Sequence, residues 1–412
     1  MTKLDVLIIG GGPAGLAAAV RLYENGIKNI LIVERNASLG GILNQCIHDG
    51  FGIKRFHDTL TGPEYADQFI RQVTRLQIPH LLNTTVLRIT PEKQAVIVSA
   101  DGVQEIQAQA IVLAMGCRER TRGALAIPGS RPAGVYTAGT VQKYINLMNT
   151  QVGKKAVILG SGDIGLIMAR RMTLEGVQVE AVFEIMSYPN GLPRNIEQCL
   201  NDFDIPLYLD HTITNIYGKE RVESVVVQAV DQNRKPIPGT EKEISCDTVI
   251  LSVGLIPENE LTINAGIAVN PHTKGACVDE ALQTSVKGIF AAGNVLHVHD
   301  LADDVSDEAE YLADAVTDYI FRGLAECSIE IKMSEDIGHV IPNRISGKRT
   351  ARISYRVRKP MTDQTIEVRQ GNRLILKKHY KKLHPAVMEH LKIDHNLLDR
   401  NMQTIEIVLN NE

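Results

Sequence analysis

At 412 residues the chain is too long for a single compact core, so about two to four domains are expected. Its composition, 44% hydrophobic and 22% charged with a net charge of −4, is that of a water-exposed globular protein. No Trp and only 4% aromatic residues exclude a base-stacking nucleic-acid surface as its main purpose.

The charge is uneven, +7 over residues 332–412 against −11 for the rest. Such a basic tail marks either an anionic partner or, more commonly, a solvated strand surface. Six cysteines at 46, 117, 199, 246, 277 and 327 stand 31 or more residues apart. They form no CxxC or Cys/His cluster, so no metal is expected, neither structural zinc nor a Cys-ligated iron–sulfur cluster. Scattered cysteines suit a reducing compartment, the cytoplasm. The apolar run at 6–20 is rich in glycine and lacks a basic flank and a small-residue cleavage site, unlike a secretory leader. No stretch reaches the roughly 18 apolar residues that a membrane span needs.

Along the chain, a strand-like VLII at 6–9 breaks into Gly10-x-Gly12-x-x-Gly15, and a helical pattern follows at 16–23. A second strand at 29–33 ends in Glu34. This is the order of parts that binds a dinucleotide. Gly10 allows the tight turn, Gly12 lets backbone approach a pyrophosphate, and Gly15 lets helix and strand pack closely. The helix start offers unpaired N–H groups to phosphate, and the acid accepts both hydroxyl hydrogens of a ribose. The device recurs as Gly160-x-Gly162-x-x-Gly165 after the strand at 156–159, with Glu184 closing the strand at 179–183. First glycine and carboxylate are 24 residues apart in both copies. A lone GxGxxG is often only a strand-to-helix turn. Two complete copies imply two dinucleotides, one held as a redox cofactor and one exchanged as a hydride carrier. Glu184 repels a 2′-phosphate and residues 185–187 hold no Arg, which favours NAD(H) over NADP(H).

With these parts in place the chain resembles the two-dinucleotide flavoproteins of the pyridine nucleotide–disulfide oxidoreductase superfamily. "QAIVLAMGCRER" at 109–120 resembles the segment closing the first FAD-binding section, "DTVILSVGLIPENEL" at 247–261 its NAD counterpart, and "TSVKGIFAAGNV" at 284–295 the late FAD motif. "GGILNQCIHDGFG" at 40–52, with 127–146 and 293–306, is similar to the FAD/NAD-binding subunits of amino-acid, opine and glycerol-3-phosphate dehydrogenases and of hydrogen cyanide synthase. The resemblance implies FAD at Gly10, Gly12, Pro13, Ala14, Gly15, Glu34, Arg35, Gly41, Val86, Ala114, Gly116, Gly293, Asn294, Val305 and Ser306. It implies NAD at Gly160, Gly162, Asp163, Ile164, Gly165, Glu184 and Gly254. The usual Asp of the late motif is Asn294 here, whose amide can still bond a ribityl hydroxyl. A plain Gly-Asn turn is the simpler reading.

The fold class expected is α/β. Two Rossmann-like domains are read, an FAD domain at 1–122 and 259–326 with an NAD domain at 123–258 inserted into it. A small β-rich C-terminal domain follows at 332–412. In that tail "ARISYRVRK" alternates, with Ile353, Tyr355 and Val357 inward and Arg352, Arg356 and Arg358 outward. Residues 370–372 read as a hairpin turn, "MQTIEIVLN" as a strand, and "HPAVMEHLKI" at 384–393 as a short helix.

Disulfide-reducing relatives carry a cysteine pair beside the flavin. Here only Cys46 occupies that segment, so a resident redox disulfide is not expected. Cys46 is read three ways: a peroxidatic thiol as in single-cysteine NADH peroxidases, a lining of the electron path, or a small hydrophobe. His48, His297 and His299 are candidate proton donors or acceptors, against the plainer reading as structural histidines. Residues 304–306 are expected to begin a helix aimed at the flavin, with Asp303, Asp304 and Asp307 as its caps. The leading functional reading is an oxidoreductase exchanging hydride between NAD(H) and FAD and passing electrons to or from a partner dehydrogenase subunit, or another protein or small-molecule acceptor. The others are a scaffold subunit that turns over only in a complex, and a Cys46 peroxidase or oxidase. Oligomeric state is left open.

Overall fold

The structure is a computed structural model that describes residues 2–411. The chain forms two compact units, one of Met1–Cys117 with Pro257–Glu412 and one of Arg118–Ile256.

In the first unit β1 (Thr2–Ile9) leads through the glycine turn into α1 (Pro13–Glu24) and then β2 (Ile30–Val33). Next come α2 (Gly62–Arg75), β3 (His80–Leu81), β4 (Thr85–Ile89), β5 (Gln94–Ser99) and β6 (Gly102–Leu113). The sheet runs β3-β2-β1-β6-β5-β4. The second half of β1, residues 6–9, and all of β2 read as unbroken apolar runs because a parallel strand covered on both faces has no solvent side. Thr61 and Glu64 close a capping box at the start of α2. Ala17, Ala18 and Ala19 of α1 are fully buried, and such short side chains let a neighbouring helix approach closely.

The second unit holds β7 (Val135–Thr137), α3 (Ala138–Met148), β8 (Lys155–Leu159), α4 (Asp163–Leu174), β9 (Gln178–Phe183) and β10 (Leu207–Tyr208). An antiparallel sheet of β11 (His211–Gly218), β12 (Val222–Ala229) and β13 (Lys242–Ser245) precedes β14 (Thr248–Leu251). The parallel sheet runs β10-β9-β8-β14-β7.

Back in the first unit, β15 (Ile289–Ala291) pairs with β6, and α5 (Ala302–Phe321) packs on α1. Arg21 of α1 and Asn25, which caps the end of that helix, both bond Asp314 of α5, at 2.7 and 2.8 Å. The register sets the ends of β1, β2, β6 and β15 side by side, Ile9 opposite Val33 and Leu113, and Leu113 opposite Ala291. Loops leaving one edge of a parallel sheet make its ligand crevice.

The tail is mostly strand, with one 3₁₀ turn at His395–Leu397: β16 (Ile329–Met333), β17 (Ile337–Ile341), β18 (Arg344–Ile345), β19 (Ala351–Val357), β20 (Met361–Gln370), β21 (Arg373–Leu383), β22 (Glu389–Ile393) and β23 (Thr404–Asn411). They form two sheets, β18-β16-β23-β20-β21 and β17-β19-β22. The hairpin at 370–372 and the strand at 404–411 are as expected. The expected helix at 384–393 is a turn and then β22, paired with β19. Burial there alternates, Leu391 and Ile393 in, His390 and Lys392 out, and so short a helix lacks the turns to sustain itself. Arg356, expected in solvent, turns instead to pair with Asp300. Glu280, buried beneath the tail, accepts from Ser346 N at 3.0 Å and from the Ser346 hydroxyl, and pairs with Arg349 at 3.3 Å.

Two expectations about α5 are corrected. It begins at Ala302 rather than at 304–306, and its N-cap, Leu301, offers no side-chain oxygen. Asp303, Asp304 and Asp307 therefore lie inside the helix and cannot cap it. Asp304 pairs with Lys54 at 3.0 Å, Asp307 with Arg352 at 3.3 Å, and Asp303 accepts from Lys54 N at 3.3 Å. Among the described residues no helix is long and apolar enough to cross a membrane.

Candidate functional site

The first turn is an anion cradle. Gly10 has φ +107°, and a Cβ there would fall 2.3 Å from Ala114 O. A Cβ on Gly15 would fall 1.9 Å from Gly10 O, whereas above Gly12 only Gly41 Cα comes near, at 3.9 Å. The start of α1 at Pro13 and Ala14 has no side-chain cap, leaving its N–H groups to a ligand. Glu34 is buried and accepts from Gly11 N and Asn36 N, both at 2.8 Å, one at each oxygen. Each oxygen keeps a lone pair for a ribose hydroxyl. Arg35 beside it is exposed. Thr84 N bonds Glu34 O at 3.0 Å, which draws the start of β4, with Val86, to the same place. A Cβ on Gly293 would meet Ala14 at 2.9 Å and Val305 at 3.3 Å, so the late segment closes on the first turn. Gly116 follows β6 with φ +71°. Ser306 turns inward, where its hydroxyl accepts from Tyr65 at 2.9 Å.

The second turn repeats the design. Gly160 has φ +95°, and Gly165 N donates to Ser252 Oγ at 3.0 Å. Glu184 accepts from Ser161 N at 2.9 Å, Ser161 Oγ at 2.6 Å and Met186 N at 2.9 Å. Asp163 opens α4 ahead of Ile164, but its carboxylate is turned to Leu192 N at 2.8 Å and Asn195 Nδ2 at 2.6 Å. Gly254, φ +98°, accepts from Arg120 N at 3.1 Å. Both turns fit an adenine dinucleotide: room over the middle glycine of the first, an uncapped helix start, and a fixed buried carboxylate.

Asn294 is more than a turn residue. Its Oδ1 accepts from His299 N at 3.0 Å, and its Nδ2 approaches Cys117 Sγ at 3.7 Å. The oxygen gives one lone pair to the loop, and the amide keeps a second lone pair and a second N–H for a further partner.

His297 and His299 converge on Glu308, in the second turn of α5, a residue the sequence reading missed. Glu308 Oε2 lies 2.7 Å from His297 Nε2 and 3.3 Å from His299 Nε2, and Oε1 accepts from Gly293 N at 2.8 Å. Burial pushes His297 below its ordinary pKa. Burial acts on His299 likewise and is the largest single influence, but the charge and hydrogen bond of Glu308 together with the Asp300 and Asp304 charges outweigh it and hold that imidazole above its ordinary value. Despite burial, the two imidazoles keep Glu308 well below the usual carboxylate range. An acid nine residues after a His-x-His pair was the available signal.

Cys46 ends a short 3₁₀ turn, Gly41–Gln45, with its Sγ 3.4 Å from Ile42 O and its Cβ against Gly62. His48 is half-exposed, its Nδ1 3.0 Å from Asp49 O and its ring 5.2 Å from that of Phe51. All six cysteines are thiols. Cys199 and Cys246 are pushed by burial up to about 11, and Cys327 to about 12.

The sequence profile of the pyridine nucleotide-disulphide oxidoreductase family matches residues 4–310. The chain belongs to this family. It is an oxidoreductase whose cofactors are FAD and NAD(P). It is 27% identical over 321 residues to the hydrogen cyanide synthase subunit HcnB of Pseudomonas protegens, covering 71% of this chain and 66% of that protein. It is 26% identical to a 34.2 kDa protein in the rubredoxin operon of Clostridium pasteurianum, covering 74% of this chain and 94% of that one. The chain thus spans about two thirds of the length of the first relative and nearly all of the second. The thioredoxin reductase of T. acidophilum has the same fold, with a TM-score of 0.62 at 23% identity, covering 77% of this chain and 98% of that one. The β-rich tail lies beyond the family match.

Proposed function

We propose that the protein exchanges hydride between NAD(H) and FAD and passes the electrons to or from a partner dehydrogenase subunit or another acceptor, with no redox disulfide of its own. The observation that carries this reading is the pair of glycine turns, each backed by a buried carboxylate fixed through backbone N–H groups. The sequence has no CxxC or CxxxxC pair to take electrons from a flavin. The relative HcnB is named as a subunit of hydrogen cyanide synthase, which supports a role inside a complex.

In this reading Glu34 and the starts of β4 and α1 hold the adenosine and pyrophosphate of FAD, and Asn294 donates to its ribityl chain. Glu184 and the start of α4 hold NAD, and the Glu184 charge disfavours a 2′-phosphate. Bound FAD supplies the two-electron chemistry. The half-exposed His48 is the candidate for exchanging a proton with water, and Cys46 lines the path without a covalent step. His297 and His299, turned to Glu308, hold the loop after Asn294 rather than exchange protons with a substrate.

The test is anaerobic mixing of the purified holoprotein with NADH or NADPH while absorbance at the flavin band is followed. Bleaching by NADH, faster than by NADPH and retained in Cys46→Ser, is the expected result. Loss of peroxide-dependent NADH oxidation in Cys46→Ser would instead establish the peroxidase reading. Reduction by NADH with no turnover of artificial dyes until a second chain is added would favour the scaffold reading.

A further inference from the structure

We propose that His297, His299 and Glu308 form a binding site for a first-row divalent transition metal, Zn²⁺ being the simplest occupant. Among the described residues no cysteine joins this cluster. This site is assembled from a loop and a helix that lie close only in the folded chain.

One ligand atom from each of the three residues lies within 4.8 Å of the other two, and both imidazole Nε2 atoms face Glu308 Oε2. A tetrahedral ion at about 2.0–2.1 Å from each ligand needs ligand atoms roughly 3.3–3.4 Å apart. The His299–Glu308 separation, 3.3 Å, already meets this, and the His297–Glu308 separation, 2.7 Å, has to open by a small side-chain rotation. The donors are set before any ion arrives. Glu308 Oε1 is engaged by Gly293 N, which leaves Oε2 as a monodentate ligand. Asn294 Oδ1 pins His299 N, and Arg356 donates to Val298 O at 2.9 Å between the two histidines. Side-chain exposure is 1% for His297, 3% for His299 and 13% for Glu308, so an ion there is well shielded from water.

Two imidazoles and one carboxylate select zinc or ferrous-type ions over calcium and magnesium, and three protein ligands leave a coordination position open. His339 of β17 is the nearest further imidazole, its ring 6.0 Å from that of His297 and its Nε2 buried with no hydrogen-bond partner. Neither His297 Nδ1 nor His299 Nδ1 has a partner. Such backing bonds each contribute roughly 10–100-fold in affinity, so the site should bind more weakly than a four-ligand structural zinc.

The experiment uses the untagged full-length holoprotein, stripped with a chelator, desalted and titrated with Zn²⁺ against a chromophoric competitor. One Zn²⁺ per chain is expected, with affinity falling about 100-fold or more in Glu308→Gln and His299→Asn. Flavin absorbance and the circular dichroism melt report whether each variant is folded. Should a variant not fold, X-ray absorption of the Zn²⁺-loaded wild type decides, a shell of two imidazoles and one carboxylate oxygen being required. Wild type binding no more Zn²⁺ than folded Glu308→Gln, or a shell without two imidazoles, would show a plain Glu–His hydrogen-bond cluster and overturn the proposal.

Discussion

The two glycine turns share a plan but differ in what braces them. In both, a buried carboxylate collects one backbone N–H from the turn and one from two residues beyond itself, Gly11 and Asn36 for Glu34, Ser161 and Met186 for Glu184. Around the first, distant pieces of chain close in: Gly40 N bonds Gly11 O at 2.8 Å, Gly41 lies over Gly12, and Gly293 packs on Ala14. Around the second, apart from Ser252, the bracing is nearby in sequence. Asn190 N bonds Ser161 Oγ at 2.9 Å, and Asp163 ties residues 192 and 195. A site assembled from segments nearly 300 residues apart opens only when the unit opens, which suits a resident cofactor. A locally braced site can loosen alone, which suits a ligand that comes and goes.

The sharpest way to break this comparison is to strain each turn in the same manner. Gly10→Ala forces an L residue to φ +107° and a Cβ against Ala114 O, and Gly160→Ala forces φ +95° with a Cβ 2.1 Å from Ser252 O. Backbone strain of this kind costs about 1–3 kcal/mol before the clash is counted. Gly10→Ala should purify largely without yellow cofactor. Gly160→Ala should keep its flavin and lose reduction by NADH. If both lose flavin, the division of roles between the turns is wrong.

Next in size is Glu184→Gln. It replaces one accepting oxygen with an amide NH₂ opposite a backbone N–H, a loss of about 1.5–3 kcal/mol for a charged acceptor. The KM for NADH should rise roughly 10–100-fold with flavin content unchanged, and the preference over NADPH should shrink.

The smallest expected effect is on acid stability in the second unit. Burial raises the Asp247 pKa, but hydrogen bonds from Lys154 N, Lys155 N and Thr248 outweigh it, leaving the group below its ordinary 3.8. A carboxyl depressed in the fold stabilises it above the unfolded pKa, and that support fades as pH falls through the folded value. Asp247→Asn should therefore lower the melting temperature at pH 7, and the gap to wild type should close toward pH 3. A gap independent of pH would mean that the charge is not what matters.

The turns were legible because their parts lie within 25 residues of one another and each requires a particular residue type: glycine where φ is positive, an acid where N–H groups converge. The hairpin at 370–372 was legible for the same local reason. The strand at 389–393 was not, because a five-residue apolar alternation acquires its meaning only from the partner at 351–355. The start of α5 was also missed, since three acids near a helix start look like caps until the chain shows Lys54 and Arg352 drawing two of them elsewhere.

By itself, then, the sequence determined that this protein carries two dinucleotide cradles, because local backbone geometry writes itself into glycine and acid spacing. Tertiary structure alone decided which side chains share a charge. Arg356 reaches Asp300 across 56 positions, and Glu308 gathers two histidines and the Gly293 amide into one buried cluster. Electrostatic partnership depends on distance in space, and spacing along the chain leaves that distance open until the sheets have closed.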